Sequence, residues 1–180
     1  MSQATLSTTG GALLSAGIAG QVADLETAQI ISRINLSATA IDFGVAVFWA
    51  IGDDPEQCRP QHASTDLFTG ISVRLPTMTS SSDADTLSTV NFAQYKSVPI
   101  CIDGTVFALA AETVKARQQC YGLQSGGAGN GSAGALGSIE GGATSATRLA
   151  LTGTGWVDNV TTGTVGRMRI KYVGDVTTST

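Results

Sequence analysis

Charge is scarce in this sequence. Only 13% of its 180 residues are Asp, Glu, Lys or Arg, about half the ordinary share, and 10 basic against 14 acidic residues leave a net charge of −4. Nucleic acids and anionic membranes are bound through clustered Lys and Arg, so neither is expected as a partner. Histidine is scarcer still. His62 is the only one, and it lies in a polar turn, Pro60-Gln61-His62-Ala63-Ser64, with no nucleophile motif beside it. Gly-x-Ser-x-Gly, His-Glu-x-x-His and clustered metal ligands are all missing. The carboxylates fall singly along turns and leave no centre for paired acid–base chemistry. No enzyme is expected, and with it no catalytic residue, metal or cofactor.

Cysteine is also sparse. Cys58, Cys101 and Cys120 are odd in number and show no Cys-x-x-Cys spacing, which fits neither a disulfide framework nor a zinc site; they read as reduced, buried thiols. No apolar run approaches the roughly 20 residues that span a bilayer. Ser2 to Ser15 has neither the basic start nor the continuous apolar stretch of a secretory signal, so the expected setting is a cytoplasm. The Asn-x-Ser/Thr matches at Asn35, Asn130 and Asn159 then carry no expectation of glycosylation.

What the chain does have is Gly, Ser and Thr in abundance, giving a polar, weakly charged surface suited to contact with other protein. Its length predicts one domain. Residues 1–19 carry no charge and no periodic pattern, and read as an arm. The arm is either a disordered tail or a segment that orders on a partner with Leu6, Leu13, Leu14 and Ile18 as anchors. Residues 20–175 form the expected body, with a glycine-rich loop at 122–142.

Strand patterns fill that body. Gln29 to Asn35 is β-type, and in Phe43 to Ile51 the side chains alternate between two faces. Phe43, Val45, Val47, Trp49 and Ile51 form a bulky face, and Gly44, Ala46, Phe48 and Ala50 a mostly small one. A strand apolar on both faces is covered on both, by its own barrel or by a neighbouring subunit. Phe48, Trp49 and Trp156 are therefore candidates for an interface between copies. Leu67 to Leu75 alternates with Leu67, Ile71, Val73 and Leu75 opposite Phe68, Ser72 and Arg74. Around Asp103-Gly104, Val98 to Ala108 is either a hairpin or one long strand with a glycine bulge. Glu112 to Gln119 has room for a helical turn or two, and Arg148 to Val157 and Val165 to Val173 read as closing strands. In the last of these Arg167, Arg169 and Lys171 share one face. That stripe is either a charged edge that discourages stray pairing or a cationic surface for an acidic neighbour. Asp53-Asp54 and Asp83-Ala-Asp85 lack the further ligands of a metal site and read as turns.

The order of short motifs resembles the capsid cement, or decoration, proteins of tailed bacteriophages. The motifs are Gly20-Gln21-Val22-Ala23-Asp24, Ile30-Ile31-Ser32-Arg33, Asp42-Phe43-Gly44-Val45-Ala46-Val47 and Phe68-Thr69-Gly70-Ile71-Ser72-Val73. Val98 to Phe107, then Gly155-Trp156 through Gly166-Arg167-Met168-Arg169-Ile170, continue the likeness, which spans about residues 17 to 172. One departure lies at Glu112 to Tyr121, where the family pattern calls for a glycine-containing turn and the chain has Thr113-Val114-Lys115-Ala116-Arg117. The glycine loop is another.

The fold expected from the strand pattern is all-β, a compact barrel or sandwich of short antiparallel strands with an extended N-terminal arm. The resemblance implies a role in the virion. Such a protein binds the outside of the phage head, bridges neighbouring major capsid protein subunits through the arm, and works as a homo-oligomer, a trimer before a dimer. The Arg167, Arg169, Lys171 stripe is a second candidate for facing the capsid. The competing readings are a tail or tail-tube structural protein and a β-sandwich carbohydrate-binding or adhesin module.

Overall fold

A computed structural model of the protein describes residues 17–24, 27–60, 66–74, 91–123, 139–140 and 148–171. Among these residues lie ten strands: β1 (Gln29–Asn35), β2 (Ala46–Trp49), β3 (Gln57–Cys58), β4 (Leu67–Ser72), β5 (Ser97–Leu109), β6 (Tyr121–Leu123), β7 (Ile139–Glu140), β8 (Arg148–Ala150), β9 (Thr154–Trp156) and β10 (Val165–Ile170). No helix occurs among the described residues, and the fold is all-β.

Five strands run side by side in the order β2-β4-β5-β1-β3. The row comes back on itself because Phe48 of β2 bridges Arg59, the residue after β3. The result is a sheet nearly closed into a barrel, antiparallel except for the β1–β3 pair. Closure pairs most backbone donors and acceptors that an open edge would leave exposed.

The long strand β5 is the spine. Its first half pairs with β1 and β4, and its second half pairs with β10, which in turn carries β9. Of the two readings of Asp103-Gly104, the single bulged strand is the one found. Gln29 faces Asp103 while Ile30 faces Cys101, so Ile102 is the extra residue. Gly104, at φ +134°, follows at once; a Cβ there would stand 3.1 Å from the Ala28 Cα, where only glycine fits without strain.

Two cores form on opposite faces of β2, as its period-2 alternation requires. Val45 and Val47 pack with Ile41, Cys58, Phe92, Val98 and Ile100, a group drawn largely from the strands of the ring. Ala46 and Phe48 pack on the other side with Ile71 of β4 and Cys101 of β5 and with Leu151, Trp156 and Met168 from the C-terminal part of the chain. Both faces of β2 are thus covered within one chain. Burying side chains of this size contributes roughly 1.5 to 3 kcal/mol each.

Four local expectations are corrected. Phe68 does not face away from Ile71. Opposite β2, Val47 pairs with Gly70 but Phe48 pairs with Phe68, so Thr69 is skipped as a bulge and Phe68 swings onto the Ile71 side, edge-on to Phe48. Residues 112–119 form no helical turn; Val114 is bridged to Val160 and a tight turn follows. Arg148 to Val157 is two strands in different sheets, β8 on β6 and β9 on β10, parted by a turn at Thr152-Gly153. Finally, β10 is no edge, because it lies between β5 and β9. Of the glycine-rich loop, Gly122 and Leu123 belong to β6, and Ile139 and Glu140 form β7 beside it; residues 124–138 and 141–147 lie outside the described residues.

Candidate functional site

The N-terminal end of the described chain is pinned to the spine. Gly20 donates its N–H to the Phe107 carbonyl at 2.7 Å, Phe107 donates to the Gln21 carbonyl at 2.8 Å, and Ala23 donates to the Thr105 carbonyl at 2.8 Å. From the other side Arg74 donates to the Gly20 carbonyl at 2.8 Å. The approach is close enough to demand glycine twice. Gly20 and Gly44 both have left-handed φ, +79° and +74°, and a Cβ on Gly44 would come within 2.8 Å of the Gly20 nitrogen. The described chain is therefore fixed on the body from Gly20 onward. Ile18, 44% exposed, is the first side chain outside that anchor. Leu6, Leu13 and Leu14 lie outside the described residues.

The turn after β2 is equally well tied. Trp49 donates its indole N–H to the carbonyls of Asp53 and Asp54, both at 3.2 Å. Asp54 Oδ1 accepts the Glu56 N–H at 2.9 Å, the Asx turn that explains why this Asp-Pro sequence bends here. Asp53 stands 3.6 Å from the Arg59 guanidinium. Arg59 also meets Asp66, whose side chain is 3% exposed: a terminal guanidinium nitrogen donates to Oδ1 at 3.4 Å, and Nε stands 3.3 Å from Oδ2. The aspartates thus serve a turn and a seam. Among the described residues no three His, Cys, Asp or Glu side chains converge as metal ligands; His62, Asp83 and Asp85 fall outside those residues.

The thiols are buried and free. Burial pushes Cys58 and Cys120 up to about 12 and Cys101 up to about 11, the last offset in part by a backbone hydrogen bond from Asp103. A thiol held neutral this far above physiological pH is a core side chain rather than a nucleophile.

The geometry is that of a closed scaffold with appended surfaces, and the comparisons agree. The family model for structural cement proteins (E217 gp24/Pam3 gp6) matches residues 6–171. The chain belongs to this family. Among solved structures, a chain of "The capsid of Myoviridae Phage XM1" superposes with a TM-score of 0.61 at 14% identity, covering 87% of this chain and 91% of that one; the likeness is one of fold. No curated protein matches the sequence.

In this cement protein the three aromatic candidates for an interface fare differently. Phe48 and Trp156 are 0% and 1% exposed, so the expectation that they need a neighbouring subunit for cover is corrected: β6, β9 and β10 supply it. Trp49 is half-buried with its indole N–H engaged as above. The basic stripe of the cement protein is also narrower than its sequence suggests. Arg167 is chelated by Asp158 through Nε and the guanidinium nitrogen at 2.9 and 2.7 Å, and its backbone N–H adds a third bond at 3.1 Å. These bonds hold the Asp158 carboxyl below its ordinary range. Arg169 and Lys171 remain exposed.

Sequence reasoning missed Asn35, Asp158 and Arg117. Asn35 is fully buried; its amide donates to the carbonyls of Thr39 and Phe92 and its oxygen accepts the Ser37 N–H, so this Asn-x-Ser match is a structural hub. Asp158 carried no signal of its partner. Arg117 did: it stands at φ +68° where a glycine turn was expected.

Proposed function

We propose that this cement protein sits in the virion on the outer surface of a phage head and stabilises the shell by bridging neighbouring major capsid protein subunits. Family membership supports the cement role, and the fold shared with a chain from a phage capsid agrees with it. The observation that carries the bridging is the anchor at Gly20. A barrel that closes on itself offers few unpaired strand edges, which leaves attachment to the chain before Gly17, and that chain joins the body beside Gly20, a hydrogen-bonded, glycine-tight point.

Leu6, Leu13, Leu14 and Ile18 are its apolar anchors, each worth roughly 1.5 to 3 kcal/mol if buried in a groove. Ordering the backbone costs about 1 to 2 kcal/mol per residue, so binding needs a pre-formed surface or an added strand that supplies hydrogen bonds as well. Single attachments of this kind are weak and sum over many copies. The working form is a homo-oligomer, a trimer in preference to a dimer, assembled on the head in the host cytoplasm without nucleic acid, membrane or cofactor.

The test is deletion of residues 2–16 followed by co-sedimentation with heads that lack the protein. The truncated chain should keep its thermal midpoint and lose attachment. Attachment as tight as that of the full chain would overturn the arm's role.

A further inference from the structure

Charge on this chain is scarce but unevenly spread. Five of its ten Lys and Arg, namely Lys115, Arg117, Arg167, Arg169 and Lys171, come from two segments that the sheet sets side by side. Arg117 donates its N–H to the Trp156 carbonyl at 2.7 Å, and Trp156 pairs with Met168 of β10. Two strand spacings, roughly 10 Å, therefore separate the Arg117 backbone from β10. Asp158 neutralises Arg167. Arg117, Arg169 and Lys171 are exposed, and among the described residues no carboxylate pairs with them. Val157, 40% exposed, adds an apolar centre beside β10, its N–H donating to the Arg167 carbonyl at 2.9 Å.

Arg117 is held there against local preference. Its turn is closed by the Gln118 N–H on the Lys115 carbonyl at 3.1 Å, and φ is +68°, a conformation that is free for glycine and costs other residues about 1 kcal/mol or more. Its side chain is exposed, and its backbone N–H on the Trp156 carbonyl helps to hold the turn in that conformation.

The complementary surface is on the same chain. In the turn after β2, Asp54 and Glu56 are exposed and Ile51 is 63% exposed, and the Trp49 hydrogen bonds hold that turn in one shape. One surface is an apolar side chain among cations, and the other an apolar side chain beside carboxylates. Both are fixed before any contact, which removes part of the ordering cost of association.

We propose that the Arg117, Arg169, Lys171 face of one copy docks on the Ile51–Glu56 turn of a second copy. A few exposed side chains fall well short of the roughly 800 Å² per partner of a stable interface. The contact is therefore weak between free chains and sets which surfaces meet; it gains strength where copies are crowded together, as on the shell surface in the function proposed above, on which this inference rests for its setting.

Sedimentation velocity of the full chain at high concentration tests it. Association should be present at about 0.1 M salt and lost at about 1 M, where the screening length falls from roughly 10 Å to 3 Å. The variant Arg169→Glu/Lys171→Glu should be monomeric, as should Asp54→Lys/Glu56→Lys, each with the wild-type thermal midpoint. An equimolar mixture of the two should associate again, because each reversed surface then meets its opposite. A wild type that stays monomeric at low salt, association indifferent to the reversals, or a mixture that stays monomeric would each overturn the proposal, as would a wild type that prefers a DNA duplex to its own copies. Head attachment is measured separately: loss of attachment in the arm deletion with association intact bears on the arm alone.

Discussion

Phe48 and Arg59 each donate a backbone N–H to the other's carbonyl, both at 2.9 Å, and this one pair joins β2 to the end of β3. The same arginine carries the ion pairs to Asp66 and Asp53, so the closing bridge and the charge that braces it belong to one residue.

Arg59→Ala should accordingly act on closure as well as on charge. Removing the partner of a carboxylate as buried as Asp66 costs about 3 kcal/mol, read as a lower urea midpoint. Adding Asp66→Asn should recover part of the loss, since the buried carboxylate that has lost its arginine is then neutral. A double variant no better than the single one would mean that Asp66 is held by its other contacts.

Arg117→Gly should move the other way. Glycine relieves the left-handed φ, at the price of a more flexible unfolded chain, for a net gain of about 1 kcal/mol, or roughly 2 to 4 °C in thermal midpoint for a chain of this length. The gain in stability should come with weaker association between copies at low salt, since a face cation is lost. A destabilised variant would show that the arginine makes compensating contacts.

Asp158 sets an acid limit. Its carboxyl is depressed in the folded state by the hydrogen bonds from Arg167, so the stability it contributes is complete above the unfolded value of about 3.9 and is lost as pH falls through the lower folded value. Asp158→Asn should be less stable than the wild type at pH 7, with the gap narrowing below about pH 4. Thermal midpoints from pH 7 down to about pH 2 measure it; a constant gap across that range would refute the linkage.

The three thiols set an alkaline limit. Burial raises Cys58 and Cys120 to about 12 and Cys101 to about 11 in the folded state. Stability is therefore full below the unfolded value of about 8.5 and falls above it, by up to about 1.4 kcal/mol per pH unit for each thiol. Cys120→Ala costs packing at every pH but should flatten the slope between about pH 9 and pH 11. In the native protein at pH 8 a thiol reagent should find none of the three.

The β-type run was enough to place β1 at Gln29–Asn35, and alternation was enough to give β2 two apolar faces, because a period of two is a property of the extended backbone itself. The order of small-residue motifs was enough to identify the cement family, since those residues mark turns and close approaches such as Gly20 against Gly44, where no other side chain fits. What covers each face was not local. Ala46 and Phe48 are buried by Leu151, Trp156 and Met168, more than a hundred residues later, so Phe48 and Trp156 read as spare aromatics until the C-terminal strands were seen beside them. The bulge that skips Thr69 reversed Phe68, because a one-residue shift moves every side chain beyond it to the other face. Arg167 looked like part of a free stripe; only the fold brought the Asp158 carboxylate within 2.7 Å of it. Periodicity fixes which way a side chain faces along its own strand, and tertiary structure decides what it meets there.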